Sequence, residues 1–365
     1  MSVSEVPFGL ARWIWSETEH RNQFVLFRRV IDIGGSRKPL VFTLTASYHY
    51  ELYVDGVFAA RGPVHGDPRW CQYDEVTVDR SGDGERVEVV ILVHHSVGTY
   101  LHYLTPAPAG LIALIRCGEV EVGTDSEWSY YELETWSNET KPKNWALGYC
   151  EDYDARREPA GMESMRFDDD ALGLRRAVEL PSVVASVWSG FTPRITPPVT
   201  RSVVEPITFT AFRAGADGAS EVYGISEHHD LESLEVVAVD LRYDLETLAG
   251  LQRNANAFTF DFGVEQAGFH GFEIDAPEGT VVEVSGAELL QPQSVRPWVF
   301  RKGSCYSARY TASGGRRSFR TFFWSGFRYL HVVLRRAVVT DTENPDEARA
   351  PGPRPRAAAP RGSAN

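Results

Sequence analysis

The strongest constraint on this chain is a two-residue alternation of apolar and polar side chains that recurs in short runs. Six such runs lie in the first 135 residues, at positions 24–30, 40–46, 50–54, 73–78, 87–95 and 111–116. Because successive side chains of an extended strand point to opposite faces, this period predicts β-strands. Clusters of Gly, Asp, Ser and Pro separate the runs, as turns between strands require. We therefore predict an antiparallel, jelly-roll-like β-sandwich over residues 1–135.

The clearest turn signal is Asp55-Gly56, which stands between two strand-like runs. A two-residue hairpin turn of type I′ needs a positive φ angle at both positions, and Asp and Gly tolerate it. The pair therefore predicts a tight β-hairpin. We interpret Asp55 as a turn former rather than a ligand.

The alternation weakens in residues 136–206, where prolines at positions 181, 193, 197, 198 and 206 interrupt regular elements. We interpret this segment as a long packed connector. Strand-like runs return at positions 207–212, 234–239, 258–262, 271–274, 281–285, 307–311 and 329–334, with one helical stretch at 244–251. These runs predict a second sandwich over residues 207–335. The predicted fold class is therefore all-β, with two antiparallel β-sandwich domains joined by a connector.

The last segment, residues 336–365, has a different composition. Its end is rich in Pro, Arg and Ala and contains no aromatic residue between positions 345 and 365. Such a sequence cannot bury enough apolar surface to offset the entropy lost on ordering. We predict that it is disordered.

The charge of the chain limits its partners. A formal net charge of −13 argues against nucleic-acid binding, because neutralising phosphates requires a basic face. The most apolar strand, residues 87–93, is interrupted by Glu88 and is too short to cross a bilayer, so we expect no membrane partner. A neutral ligand such as a sugar is compatible with this balance.

The four cysteines, Cys71, Cys117, Cys150 and Cys305, form no CxxC pair. Zinc sites and disulfide scaffolds need closer spacing or more cysteine, so we expect buried free thiols and no metal. The N-terminal residues show no secretory signal pattern, and we expect a cytoplasmic location. No P-loop or dinucleotide fingerprint is present, and we expect no cofactor.

Ten short blocks of sequence together resemble a known family. In chain order they are Trp13-Ile14-Trp15, Phe27-Arg28-Arg29, residues 50–56, Arg61-Gly62-Pro63, Tyr73-Asp74, residues 91–95, residues 153–158, Phe167-Asp168-Asp169, residues 260–268 and residues 323–330. The ordered set is similar to the N-terminal β-sandwich region of bacterial α-L-rhamnosidases, glycoside hydrolase family 78. The resemblance spans roughly residues 12–335.

The chain departs from the family pattern at three places. Asp55 stands where the family usually has Asn, and Leu172 follows the Asp-Asp of the connector where Trp is typical. In the family, an α/α barrel with the catalytic carboxylates follows the second sandwich, whereas here the Pro/Arg/Ala segment follows. The resemblance therefore implies sugar chemistry without the catalytic machinery, and we assign no catalytic residue.

Three functions remain open from the sequence. The first is a non-catalytic accessory portion of an α-L-rhamnosidase-like hydrolase that binds rhamnose-containing glycans. The second is a subunit of an active α-L-rhamnosidase that a separate catalytic α/α-barrel domain or chain completes. The third is a structural scaffold without a ligand. We expect the chain alone to be inactive on α-L-rhamnosides.

A carbohydrate-binding site is predicted in the loop that follows the Asp55 hairpin. Polar side chains that bind vicinal hydroxyls and aromatic faces that stack on a sugar ring occur there together. The alternative is a structural loop that packs against the neighbouring domain. The candidate residues are Arg61, His65, Asp67, Arg69, Trp70 and Tyr73.

Three other groups have structural interpretations. His94 and His95 end a strand, so we expect one ring inside the sandwich and one at its rim. Glu151, Asp152 and Asp154 stand beside Arg156 and Arg157 and indicate a surface ion-pair patch rather than a glycosidase pair. The aromatic rings of residues 324–329 are expected to fill the second core.

The composition of the last segment makes a direct prediction. Deletion of residues 337–365 should leave the melting temperature nearly unchanged, because an unburied backbone contributes few interactions. Thermal unfolding of the shortened and full-length chains, followed by circular dichroism, measures the difference. A large decrease in melting temperature would show that this segment packs on the core.

Overall fold

A computed structural model describes residues 7–64, 66–80, 84–96, 106–143, 148–168, 173–198, 201–213, 234–252, 254–298, 300–301 and 304–335. The predicted disordered segment 336–365 lies outside these residues, as do His65, Asp169 and Leu172. The side chain of Cys305 is likewise outside the described part of the structure.

The N-terminal sandwich is built mainly from ten strands. They are β1 (Ile14–Trp15), β2 (Gln23–Asp32), β3 (Leu40–Ala46), β4 (His49–Val54), β5 (Val57–Gly62), β6 (Gln72–Val78), β7 (Arg86–His95), β8 (Leu111–Cys117), β9 (Val120–Gly123) and β10 (Ser129–Glu132). A short 3-10 turn, Pro68–Trp70, lies between β5 and β6.

The connector contributes short elements that pair with both halves of the molecule. They are β11 (Glu151–Asp154), the 3-10 turn Ala155–Arg157, β12 (Arg175–Arg176), β13 (Val178–Glu179), α1 (Ser182–Ala185) and β14 (Thr192–Pro193). Helix α1 begins directly after Pro181, at a position where the missing proline N–H removes no helical hydrogen bond. The connector is thus more regular than its prolines predict.

The C-terminal unit contains the remaining strands and one further helix. They are β15 (Thr208–Arg213), β16 (Glu235–Arg242), α2 (Leu245–Leu251), β17 (Ala257–Gly268), β18 (Gly271–Ala276), β19 (Val281–Ala287), β20 (Phe300–Arg301), β21 (Ser304–Cys305), β22 (Ser307–Thr311), β23 (Gly315–Arg320) and β24 (Ser325–Arg335). The side chain of Asp244 caps α2 by accepting from the Thr247 N–H at 2.7 Å.

The N-terminal sandwich has two sheets. The first runs β13-β1-β8-β3-β6-β14, with β9 paired to β8, and the second runs β12-β10-β2-β7-β4-β5. We call the second the six-stranded sheet. At the Asp55-Gly56 turn the φ angles are 49° and 79°, and Val54 pairs with Val57. The predicted type I′ hairpin is therefore present.

The C-terminal unit has one large sheet, in the order β11-β22-β19-β24-β17-β15-β16. A ribbon formed by β18 and β23 packs on it. The aromatic rings of Phe272, Tyr310 and Phe319 join the ribbon to the sheet, with centroid distances of 4.9 to 5.6 Å. The all-β prediction of two mainly antiparallel sandwich units is confirmed.

The two units meet on the outer face of the six-stranded sheet. Strands β2 and β7 each contain consecutive apolar residues instead of a strict alternation, and both of their faces are buried. One face lines the core of the N-terminal sandwich, and the other packs against the C-terminal unit. In that second core, Phe24 stacks on Trp136 at 4.3 Å and meets Phe322 edge to face at 5.1 Å.

Phe24 provides a test of this shared core. Phe24→Ala should lower the free energy of unfolding by about 3–5 kcal/mol, because it leaves a cavity between two packed units. Urea denaturation measures the change. The matched control is Val57→Ala, at an exposed position of β5, for which a change of about 0.5 kcal/mol or less is expected. A similar small change for Phe24→Ala would contradict the packing.

Candidate functional site

The loop after β5 is held by a local ion pair and by the connector. The Asp67 carboxylate accepts from the backbone N–H of Arg69 at 2.9 Å and from its Nε and Nη2 at 2.8 Å. The Ser189 N–H donates to Pro68 O, and the Cys71 N–H donates to Ser189 O. The turn formed by residues 67–70, here called the Trp70 turn, therefore has a fixed backbone.

The indole of Trp70 lies at the surface, although its backbone is fixed. Trp70 is 69% exposed, whereas large apolar side chains are normally buried. The neighbouring Tyr73 behaves differently, because its ring packs against Phe8 at 5.8 Å and belongs to the cluster under this loop. The turn thus presents an aromatic side chain beside the Arg69 guanidinium, which is also exposed.

Arg61 points to a different place. Its Nη1 donates to Glu51 Oε1 at 2.7 Å, and its guanidinium covers the ring of Phe322 at 4.3 Å. The structure therefore brings Asp67, Arg69 and Trp70 together and uses Tyr73 mainly for packing. His65 lies outside the described residues, and the role of the loop in sugar binding stays a prediction.

Arg61 belongs to a cluster at the junction of the two units. Glu51 is 1% exposed, and its two carboxylate oxygens both accept from Arg320 Nη2, at 2.8 and 2.9 Å. Tyr53 Oη donates to Glu51 Oε2 at 2.6 Å, and Arg201 Nη2 lies 3.8 Å from Glu51 Oε1. We call Arg61, Arg201 and Arg320 around Glu51 the arginine cluster.

The electrostatics of the arginine cluster follow from burial and charge. Burial alone would raise the pKa of Glu51, but Arg320 and Arg61 outweigh it and hold that pKa below its ordinary value. Burial lowers the pKa of both Arg61 and Arg201, while Glu51 raises the pKa of Arg320 against the effect of burial. The carboxylate therefore stays ionised between cations.

The connector carboxylates do not form the surface patch expected from the sequence. Glu151 is 3% exposed and accepts from the N–H groups of Phe322 and Phe323, at 2.7 and 2.8 Å. Only Asp154 fits the expectation, since it pairs with Arg156 at 2.7 Å. The prediction failed for Glu151 because alternating charge along the sequence carries no information about a strand that pairs with a distant unit.

The pKa shifts of this strand follow from the difference in environment. Burial raises the pKa of Glu151, and it raises the pKa of Asp152 to about 6 despite the nearby Arg309. In contrast, a hydrogen bond from Arg156 lowers the pKa of Asp154. The pKa values of two aspartates on one strand are therefore shifted in opposite directions from the ordinary value.

The paired histidines are both buried. The Nε2 of His94 lies 2.9 Å from Asn22 Oδ1, and its ring is among those at the junction of the two units. The Nδ1 of His95 lies 3.1 Å from Ser47 Oγ. Neither ring is a rim residue exposed to solvent, so that expectation was wrong for one of them. Their neighbours give both rings a packing role.

The last aromatic block divides between core and surface. Phe327 and Tyr329 are buried as predicted, but Trp324 is 60% exposed. Trp324 lies in the turn before β24, where no alternation constrains which way a side chain points.

No motif in the sequence indicated that Arg201 or Arg320 would belong to a site. They come from the connector and from the C-terminal unit, and Arg320 lies 269 positions from Glu51 along the chain. Within the described ranges, no group of three His, Cys, Asp or Glu side chains could hold a metal ion. The helices in the described part of the chain include none long and apolar enough to span a membrane.

These features define a tandem β-sandwich protein in which two units share one buried sheet face. Residues 251–344 match the family model of the bacterial alpha-L-rhamnosidase concanavalin-like domain. The resemblance predicted from the sequence is thereby confirmed, and the matched segment covers most of the C-terminal unit. A comparison with curated proteins found no match.

Solved rhamnosidases share the fold. A GH78 family rhamnosidase of Bacillus sp. GL1 is similar over 89% of this chain and 53% of its own, with 19% identity and a TM-score of 0.69. The alpha-L-rhamnosidase from Dictyoglumus thermophilum is similar over 90% of this chain and 34% of its own, with 16% identity and a TM-score of 0.62.

A third structure is the Streptomyces avermitilis alpha-L-rhamnosidase complexed with L-rhamnose. It is similar over 86% of this chain and 27% of its own, with 18% identity and a TM-score of 0.58. This chain therefore spans about half or less of the length of the rhamnosidases it resembles.

Asp152 gives a pH-dependent prediction. Its folded-state pKa of about 6 exceeds its ordinary value of 3.8, so the folded protein binds the extra proton. The stability that this proton contributes is fully present below about pH 3.8 and is lost as the pH rises through about 6. Between pH 4 and pH 7, the free energy of unfolding of wild type should fall by about 2 kcal/mol relative to that of Asp152→Asn, after discounting for partial exposure.

Urea denaturation of both proteins at several pH values measures this difference. Asp154→Asn is the control on the same strand. Because the pKa of Asp154 is lowered, the free energy of unfolding of wild type should rise, not fall, relative to that of Asp154→Asn as the pH increases. Parallel stability curves for wild type and Asp152→Asn would contradict the assignment.

Proposed function

We propose that this chain is a non-catalytic accessory portion of an α-L-rhamnosidase-like glycoside hydrolase and that it binds a rhamnose-containing glycan at the Trp70 turn. The observation that carries the proposal is the exposed Trp70 indole beside the Asp67–Arg69 ion pair. The fold shared with solved rhamnosidases and the family match in residues 251–344 support this assignment.

The Trp70 turn has the chemistry that sugars require. An indole face stacks on the C–H face of a pyranose, and a guanidinium offers five N–H donors in a planar fork. Asp67 uses the Nε and Nη2 of Arg69, so further donors are available for sugar hydroxyls. Because the hydrogen bonds to Ser189 fix the turn, binding orders little additional backbone.

The environment of Glu151 supports a non-catalytic role. A general acid in a glycosidase needs a raised pKa and access to the scissile bond. Glu151 has the raised pKa, but its oxygens accept two backbone N–H groups of the C-terminal unit, and its burial keeps it from a glycan. Its contacts favour a structural function.

Two further parts of the proposal concern partners and location. The greater length of the solved rhamnosidases supports completion of the enzyme by a catalytic α/α-barrel domain or chain. The free, buried thiols of Cys71 and Cys117 support a reducing, cytoplasmic location, because oxidising compartments favour disulfides.

Titration with L-rhamnose tests the Trp70 turn. We expect a dissociation constant in the millimolar range, about −4 kcal/mol, because a monosaccharide offers few apolar contacts and its hydroxyls lose water on binding. Trp70→Ala should abolish the signal without lowering the melting temperature.

The matched control is Trp324→Ala, which removes another exposed indole and should leave rhamnose binding unchanged. Equal binding by wild type and Trp70→Ala would refute the assignment to this turn. If wild type itself does not bind rhamnose, the ligand-free scaffold becomes the better description.

A further inference from the structure

The arginine cluster holds more positive charge than its carboxylate neutralises. Three guanidinium groups surround Glu51, the only carboxylate in hydrogen-bond or ion-pair contact with them in the described ranges. Both Glu51 oxygens are already used, since Oε1 accepts from Arg61 and Arg320 and Oε2 accepts from Arg320 and Tyr53. The three arginines and Glu51 therefore leave a net charge of about +2 at neutral pH.

Glu151 lies near this excess charge but makes no hydrogen bond or ion pair with the three arginines among the described residues. Its Coulombic effect on Arg61 and Arg320 is offset by Lys143, a further cation close to it. Its oxygens accept from the backbone N–H groups of Phe322 and Phe323 and from Trp136 Nε1. Both Glu151 oxygens are therefore occupied by donors other than the arginines.

Donors of the arginine cluster remain unused. Arg61 Nη2 is buried and has no hydrogen-bond partner among the described residues. Arg201 approaches Glu51 only to 3.8 Å, which is longer than a hydrogen bond. A buried donor without an acceptor is destabilising, so an added acceptor that reaches it would stabilise the cluster.

Aromatic rings orient these guanidinium groups. The Arg201 guanidinium lies over the ring of Phe58 at 3.7 Å, and the ring of Phe269 lies within 5.4 Å of all three arginines. A guanidinium stacked on a ring keeps its in-plane N–H groups available for a planar, bidentate acceptor. Arg201 and Arg320 are about one-third exposed, so a ligand can reach them from solvent.

We propose that the arginine cluster binds the carboxylate of an acidic saccharide, such as a uronic acid. A carboxylate matches the guanidinium fork bidentately, and it reduces the net charge of the cluster from about +2 to about +1. The rings of Phe58 and Phe269 are stacked with guanidinium groups but only partly buried, so their uncovered parts offer apolar contact to the C–H face of a sugar ring. Inorganic phosphate shares the oxyanion chemistry but has no such face.

This site is separate from the Trp70 turn. Glu51, Phe58 and Arg61 come from β4 and β5, Arg201 comes from the connector, and Phe269 and Arg320 come from the C-terminal unit. The acidic-sugar site therefore exists only where the two units are joined. The test of each site is independent of the other.

Calorimetric titration of the whole chain at low salt tests the proposal with three probes: D-glucuronate, neutral D-glucose and inorganic phosphate. We expect glucuronate to bind at least tenfold more tightly than glucose and than phosphate. Arg201→Gln should weaken glucuronate binding at least tenfold, because it removes the more loosely held cation at the entrance. Arg201→Lys keeps the positive charge but cannot bind a carboxylate bidentately, and it should weaken glucuronate binding about threefold or more.

Two control variants separate this site from general effects. Arg316→Gln removes an exposed, paired arginine of the same strand as Arg320, and Trp70→Ala removes the proposed rhamnose contact. Both should bind glucuronate as wild type does. Absence of rhamnose binding by wild type, with glucuronate binding retained, would overturn the proposed function and leave this site intact.

Three results would overturn the inference. If glucose binds as tightly as glucuronate, the carboxylate does not contribute to binding. Phosphate binding as tightly as glucuronate would indicate a general oxyanion site rather than a sugar site. Unchanged glucuronate affinity in both Arg201 variants, with melting temperatures like that of wild type, would place binding elsewhere.

Discussion

The structure depends on the burial of both faces of the six-stranded sheet. Its central strands, β2 and β7, carry consecutive apolar side chains, so one face closes the N-terminal sandwich and the other forms the core with the C-terminal unit. Phe24 and its neighbours at this second face would otherwise be in water. Burial of such area is the dominant favourable term in folding, and it holds the two units in one arrangement.

Two buried carboxylates then fix the same corner of the C-terminal unit, residues 320–323. Glu51 binds Arg320 from the six-stranded sheet, and Glu151 accepts the N–H groups of Phe322 and Phe323 from β11. A buried charge is tolerated only where partners replace its lost hydration. These hydrogen bonds fix the orientation of the two units across an apolar interface. They also place Arg320 beside Arg61, which completes the arginine cluster.

Much of the fold could be predicted from the sequence because its signals are local. The strand-like runs, the Asp55-Gly56 turn and the helical stretch at 244–251 each depend on neighbours in the chain, and the structure contains all of them. The burial of Glu151 and the union of Arg61 with Arg320 could not be predicted, since they depend on how distant segments pack. For the Trp70 turn, the residue types indicated sugar binding, but they did not indicate that the Arg61 side chain would contact Glu51 and lie outside the turn.

The path of the connector has a consequence for how the protein can be divided. After the N-terminal strands, the chain adds β11 to the large C-terminal sheet, parallel to β22. It then returns to add β12, β13 and β14 to the N-terminal sheets before it enters the C-terminal unit. The two halves are thus interlaced, and a cut anywhere between β11 and β14 leaves a sheet without one of its edge strands. The two sandwiches are therefore joined by shared edge strands as well as by a shared core, and neither sheet system is complete on one side of the connector.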